Sequence, residues 1–353
     1  MLSSNNVPMM MRAAYLEHTF EVIIKEVPVP VIRDNDVLIK VAAVGVCGSD
    51  VHYYEHGKIG HYVVEKPIVL GHECAGSVVA LGKNVHHLQI GDRVTIEPGV
   101  SCGQCYYCKQ GRYNLCPDIK FLATPPVDGA FSEYIAHRAN FVFKIPDEMS
   151  FEKASLVEPF SVGIHASRVL HIQAGESIAI MGMGPVGLMA VLAAKAHGAT
   201  QIIVGDVELN RLEAAKKLGA TSTINVREQN VTEAINSLTG GLGVDIGLET
   251  AGNPEALKNL LASVRRGGRI GLVGLPPIER NNMNIPAIVD NEIQIQGIFR
   301  YANTYLSGIS ILNSVDTDVL ITDRYSLTQT GDALERARTN KSDSIKVMVY
   351  PYQ

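Results

Sequence analysis

The stretch Gly182-Met183-Gly184-Pro185-Val186-Gly187 constrains the fold more than any other part of this chain. It follows the apolar run Ser177–Met181 and opens a helix-forming run that reaches His197. The next apolar run, Gln201–Gly205, ends on Asp206, 19 residues after Gly187. G-x-G-x-x-G alone is a weak pattern. Strand, glycine turn, helix, strand and acid in this order make a dinucleotide-binding βαβ unit. Gly182 permits the tight turn, Gly184 lets a pyrophosphate approach backbone at the helix N-terminus, and Gly187 allows close helix–strand packing. Pro185 and Val186 lie between these glycines and belong to the same contact set. Asp206 can accept hydrogen bonds from the adenosine ribose hydroxyls and would repel an extra 2′-phosphate, so the cofactor expected is NAD. Val207, Glu208 and Leu209 supply no phosphate clamp, and Arg211 is placed to stack near adenine.

The same alternation continues. Leu209–Leu218, Val231–Leu238 and Pro254–Val264 read as helices; Ser222–Val226, Val244–Glu249, Gly268–Val273 and Ile293–Ile298 read as strands. The texture before Ser177 is different. From Arg12 to Asp147 short β-like runs such as Val37–Val44 and Val78–Leu81 are broken by Gly, Pro and Asp, and Gly91-Asp92-Arg93-Val94 reads as a turn into a strand. A further β-like run, Ile345–Tyr350, closes the chain, and Leu2–Pro8 reads as a loose polar lead-in. The whole is α/β, with a mostly β part and a parallel part.

Two constellations in the β part carry chemistry. Cys47, His72 and Glu73 offer a thiolate, an imidazole and a carboxylate, the ligand types that Zn²⁺ takes in catalytic sites, where a fourth position stays open. Cys102, Cys105, Cys108 and Cys116 stand at C-x₂-C spacing and can close a tetrahedral Cys₄ zinc site with no room for substrate, hence a structural one. Cys74 belongs to neither and reads as a small core residue. Four of six cysteines at metal spacing argue for a reducing cytoplasm. A net charge of −5 gives no footprint for nucleic acid, no apolar run is long enough for a membrane span, and the N-terminus lacks the basic region followed by an apolar one that a signal peptide would show.

Together these motifs resemble the zinc-dependent medium-chain dehydrogenases over nearly the whole chain, and most of all their polyol branch, the sorbitol and xylitol dehydrogenases. The stretches Glu158-Pro159-Phe160-Ser161, Phe121-Leu122-Ala123-Thr124 and Gly297-Ile298-Phe299-Arg300-Tyr301 carry the likeness to that branch. The resemblance implies a GroES-like, mostly β catalytic domain over residues 1–160, an inserted Rossmann NAD-binding domain over 161–297, and a return to the first domain over 298–353, with the active site in the cleft between them. It implies one catalytic and one structural zinc per chain. Cys47, His72 and Glu73 match the catalytic ligands, and Glu158 matches a carboxylate that binds zinc directly or through water. Tyr53, Phe121, Thr124, Arg300 and Tyr301 match positions near the polyol pocket. Val273, Leu275, Phe299 and Arg300 fall among the cofactor contacts. Ser49 and His52 are candidates for a proton relay to solvent. The activity implied is oxidation of a secondary hydroxyl with hydride transfer to NAD, by a homo-oligomer in which a tetramer is favoured. Animal members largely lack the four structural cysteines, so the likeness is to microbial, fungal or plant enzymes. Related enzymes acting on 2,3-butanediol or threonine, and a non-catalytic binding protein, are the alternatives.

Overall fold

The computed structural model describes residues 7–276, 283–340 and 342–352. Of the expected lead-in only Val7 and Pro8 are among them. The contacts divide the chain into two compact units, Met1–Glu158 with Tyr305–Gln353, and Pro159–Thr304.

In the first unit β1 (Met10–His18) pairs antiparallel with β2 (Glu21–Pro28). β3 (Asp36–Gly45) is followed directly by α1 (Gly48–His56), and then come β4 (Glu73–Leu81), β5 (Arg93–Ile96), β6 (Tyr134–Arg138) and β7 (Val142–Lys144). Val37, Ile39 and Val41 enter a core shared with Leu70, Phe131 and Ile135, and Leu38, Ala43 and Val44 are buried as well, so most of β3 is covered.

The second unit is a six-stranded parallel sheet. Its elements are β8 (Ser177–Met181), α2 (Pro185–Ala196), β9 (Gln201–Asp206), α3 (Leu209–Leu218), β10 (Ser222–Asn225), α4 (Val231–Leu238), β11 (Val244–Glu249), α5 (Pro254–Ser263), β12 (Val264–Leu272) and β13 (Gln294–Gly297). The spatial order β10-β9-β8-β11-β12-β13 reverses direction between β8 and β11, which opens the crevice where doubly wound folds bind dinucleotides. Four of the five residues of β8 are buried, so it reads as a continuous apolar run rather than an alternating one. Asn230 and Asn253 cap α4 and α5 by accepting from the N–H groups of Glu233 and Glu255. Ile298–Thr304 stays with this unit: the Ile298 N–H donates to Leu272 O at 2.9 Å. The chain then returns to the first unit with β14 (Ile321–Ser326) and β15 (Lys346–Tyr350). β15 pairs antiparallel with β3, giving the sheet order β7-β5-β4-β3-β15-β14, with β6 also on β3.

Candidate active site

Sheet register assembles the first cluster. Gly45, at the end of β3, lies opposite Glu73, at the start of β4, so Cys47 just beyond one strand meets His72 and Glu73 at the head of the other. The ligand atoms of the three all lie within 4.8 Å of one another. Gly71 makes the entry possible: its φ of +86° suits glycine, and a Cβ there would sit 2.9 Å from the Phe131 ring.

Asp50 holds these pieces together. It is fully buried at the third position of α1, where its Oδ2 accepts from the Cys47 N–H at 2.9 Å as one arm of a capping box. Its Oδ1 accepts from the Gly71 N–H at 2.9 Å and lies 3.6 Å from His72 Nδ1. Burial works against a protonated His72, but Asp50 and Cys47 outweigh it and raise the imidazole well above its ordinary range. A carboxylate behind a histidine fixes the ring for metal binding. Phe121 packs edge-on against His72, with centroids 5.5 Å apart. Tyr53 is buried on α1 and Thr124 half-buried. Ser49 and His52 stand one turn apart on α1, His52 exposed with its ring 5.1 Å from that of His56. Burial and His56 lower the pKa of His52, against a smaller opposing pull from Glu55. Glu158 is buried, yet it is not a member of the 4.8 Å group. Cys74 is a buried thiol whose pKa burial pushes to about 12, as a core residue's would be.

The second cluster is Cys102, Cys105, Cys108 and Cys116, whose sulfurs also lie within 4.8 Å of one another. Sγ–Sγ separations of 3.5 Å (Cys105–Cys108) and 4.0 Å (Cys102–Cys108) bracket the edge of about 3.8 Å for a tetrahedron with Zn–S bonds of about 2.3 Å. Backbone N–H groups of Gln104 and Cys105 pull the Cys102 thiol down to about 7, towards the thiolate a metal needs. All six cysteines are free. The donor sets therefore fit two zinc ions of different kinds, one cluster closed and one with a position to spare.

In the second unit the three glycines divide their labour. A Cβ at Gly182 (φ +97°) would lie 2.7 Å from the Ala251 nitrogen, and one at Gly187 would overlap the Gly182 carbonyl. Gly184, the N-cap of α2, has nothing within 4 Å of its missing Cβ, which leaves open space before the N–H groups of the first turn. Pro185 and Val186 form that turn. Asp206 is buried at the end of β9. It accepts from the Met183 N–H at 2.5 Å and the Glu208 N–H at 2.8 Å, tying the glycine turn to the next strand. Arg211 lies in α3. Val273 donates its N–H to Glu249 O, and Leu275 is exposed. Phe299 is exposed with the Arg300 guanidinium 4.9 Å from its ring centroid, and Tyr301 is buried. Arg300 has φ +50° and Asn303 +58°, left-handed backbone of the kind found at functional turns.

Sequence reasoning missed three buried charged groups among the described residues of the first unit. Asp50 carries a readable signal, an acid three residues into a helix after its N-cap. Lys346 is buried and ion-paired with Glu73. Glu97 is buried with its Oε1 accepting from Tyr113 Oη at 2.8 Å, and burial raises its pKa to about 7. Neither of these two has a local pattern that betrays it.

The alcohol dehydrogenase GroES-like domain model matches residues 33–147, and the zinc-binding dehydrogenase model matches residues 185–314. The chain is 61% identical over 350 residues to sorbitol dehydrogenase of Bacillus subtilis, covering 99% of each, and 42% identical to that of Bos taurus, covering 91% of each. Among solved structures it is similar to an Escherichia coli oxidoreductase/dehydrogenase of unknown specificity, with TM-score 0.93 and 41% identity over 97% of this chain and 99% of that one. With both domain models matched and relatives this similar over nearly their full length, the chain belongs to the zinc-dependent medium-chain dehydrogenases, in the branch that holds the sorbitol dehydrogenases.

Proposed function

We propose that this enzyme oxidises a secondary hydroxyl of a sugar alcohol such as sorbitol or xylitol to the ketose, with NAD as hydride acceptor. The observation that carries the reading is the Asp50-braced group of Cys47, His72 and Glu73, in a chain so close to sorbitol dehydrogenases. Cys47, His72 and Glu73 would hold the catalytic zinc, with Glu158 reaching it directly or through water, and Cys102, Cys105, Cys108 and Cys116 would hold the structural one. When bound, the catalytic zinc supplies Lewis acidity towards the substrate hydroxyl, and NAD takes the hydride.

The chain's own groups bind, orient and move protons. Asp50 fixes the His72 ring and the Cys47 turn. Ser49 and His52 carry the hydroxyl proton outward, a role supported by the exposure of His52 and its i,i+3 relation to Ser49. Gly182, Gly184, Pro185, Val186 and Gly187 receive the pyrophosphate; Asp206 takes the ribose hydroxyls; Arg211, Val273, Leu275, Phe299 and Arg300 complete the cofactor contacts. Tyr53, Phe121, Thr124, Arg300 and Tyr301 bind the polyol. Unpaired polar groups penalise substrates lacking hydroxyls, a loss that can approach roughly 10⁴-fold. The enzyme works in the cytoplasm as a homotetramer. Support for assembly comes from exposed Ile285 and Val289, 53% and 68% accessible, in the unit that carries β13. Sedimentation would measure the assembly.

The test is NADH formation with sorbitol, xylitol, ribitol, L-arabinitol and galactitol beside 2,3-butanediol and ethanol. Polyols should lead; comparable kcat/KM on ethanol would overturn the assignment.

A further inference from the structure

We propose that Lys346 is a positioning residue of the catalytic zinc site: its ammonium competes with the metal for the Glu73 carboxylate and makes Glu73 the exchangeable ligand of the three. This rests on the reading of Cys47, His72 and Glu73 as zinc ligands.

Lysine is almost never fully buried without a partner. Lys346 is 1% accessible, and so is Glu73. Lys346 Nζ forms an ion pair with Glu73 Oε2 and donates to Val46 O at 2.8 Å, one residue before Cys47. The two residues stand on strands that are not neighbours: β15 and β4 flank β3 on opposite sides. Gly45 of β3 pairs with Met348 on one side and with Glu73 itself on the other. A Cβ at Gly45 would lie 2.7 Å from Lys346 Cε and closer still to Glu73 Oε2. The missing side chain is thus the passage through which the lysine crosses the central strand, so the pair occupies a site shaped for it.

The charges behind the three ligands are unequal. An anion, Asp50, backs Cys47 and His72, whereas a cation backs Glu73. A carboxylate already neutralised by a buried ammonium offers less to a second cation. A cation held by Glu73 would also be repelled by the buried ammonium paired with that carboxylate. Lys346 therefore lowers zinc affinity at this site, while in the metal-free protein it keeps Glu73 from being a buried, unpaired charge.

The experiment is chelator competition on the zinc-loaded enzyme, comparing wild type with Lys346→Met. The variant should bind the catalytic zinc roughly tenfold or more tightly and release it more slowly, while its metal-free form melts at a lower temperature. A lysine that merely braced the sheet would give the opposite sign: unchanged or weaker zinc binding overturns the proposal. Should Lys346→Met fail to fold, Lys346→Gln takes its place, a neutral side chain that can still donate to the Val46 carbonyl while leaving the Glu73 carboxylate intact. It should again tighten zinc binding, and equal or weaker binding refutes the idea. Cys47→Ser separates the two readings. It should remove one of two zinc ions per chain. If it removes none, the metal-site reading fails. If it removes one and the lysine variants do not tighten binding, only the role of Lys346 fails.

Discussion

Glu97 and His137 form a buried pair whose titrations oppose each other, and this can be exposed by removing either one. His137 Nε2 lies 2.9 Å from the Glu97 carbonyl, and both residues are almost fully buried. Burial lowers His137 from 6.5 to about 4, against weaker pulls from that carbonyl and from Asp36. Burial raises Glu97 from 4.5 to about 7, against its bond from Tyr113 and with help from Glu158. Between pH 4 and 6.5 the unfolded chain holds a proton on His137 that the folded chain lacks, so this group makes stability rise with pH. Between pH 4.5 and 7 the folded chain holds a proton on Glu97 that the unfolded chain has lost, so this group makes stability fall with pH. Each slope is about 1.4 kcal/mol per pH unit, and in the shared window from 4.5 to 6.5 they cancel. Glu97→Gln keeps an acceptor for Tyr113 and should leave the histidine slope uncovered, losing about 3 kcal/mol relative to wild type as pH falls across that window. His137→Gln keeps a donor for the Glu97 carbonyl and should do the reverse, losing about 3 kcal/mol relative to wild type as pH rises. Urea unfolding of the three proteins at half-unit pH steps measures this, with zinc present throughout so that metal linkage is common to all. Two variants whose stability runs parallel to wild type across the window would refute the argument.

Other outcomes follow from the same structure. Cys105→Ser opens the Cys₄ cluster and should destabilise the protein by at least about 2 kcal/mol with loss of one zinc, read by calorimetry and metal analysis. Asp206→Ala should narrow the preference for NAD over NADP by about tenfold in kcat/KM. It should also cost about 1–3 kcal/mol of stability, because two backbone N–H groups lose their acceptor. Gly71→Ala combines a left-handed φ with a clash on Phe131 and should destabilise by about 2 kcal/mol or more in thermal unfolding. Arg300→Ala should lower polyol kcat/KM by a larger factor than it raises the Kd for NADH, the latter measured by fluorescence titration, since Arg300 is assigned to the polyol as well as the cofactor and lies outside the glycine turn.

Legibility followed the range of the interactions. The parallel unit was readable because its grammar is local: α3, α4, β8 and β11 have the bounds their apolar patterns imply. The exception is β12. Arg265, Arg266 and Gly267 fall between the expected helix Pro254–Val264 and the expected strand Gly268–Val273, but the strand begins at Val264 and passes through them as an irregularity, with Val244 opposite Val264 and Ile246 opposite Arg269. Gly267 takes φ +70° there, so its freedom makes a kink in a strand and not an end to one. In the first unit the runs were legible and their partners were not. Nothing in Ile345–Tyr350 announces that it pairs with β3: every residue of the run is buried, and continuous burial is indifferent to which strand lies alongside. Lys346 and Glu97 were invisible for a related reason: a charged residue reads as solvated until its partner, hundreds or tens of residues away, is placed beside it.

That dependence makes the ligand cluster a consequence of register. Gly45 opposes Glu73 only because β3 and β4 are shifted at two points, between Leu38 and Ile39 and between Val41 and Ala43. A slip of one residue would turn Glu73 to the other face of the sheet and replace Gly45 by a residue whose side chain blocks Lys346. The bulges thus set both the ligand geometry and the passage for the lysine. Metal bound to Cys47, His72 and Glu73 stabilises that register over its alternatives by ordinary ligand linkage. The sheet in turn presents the three ligands before any metal arrives, since Asp50 already joins the Cys47 turn to Gly71 through two hydrogen bonds of 2.9 Å. The site and the sheet are therefore one cooperative structure. A substitution at either bulge should weaken zinc binding even though it touches no ligand.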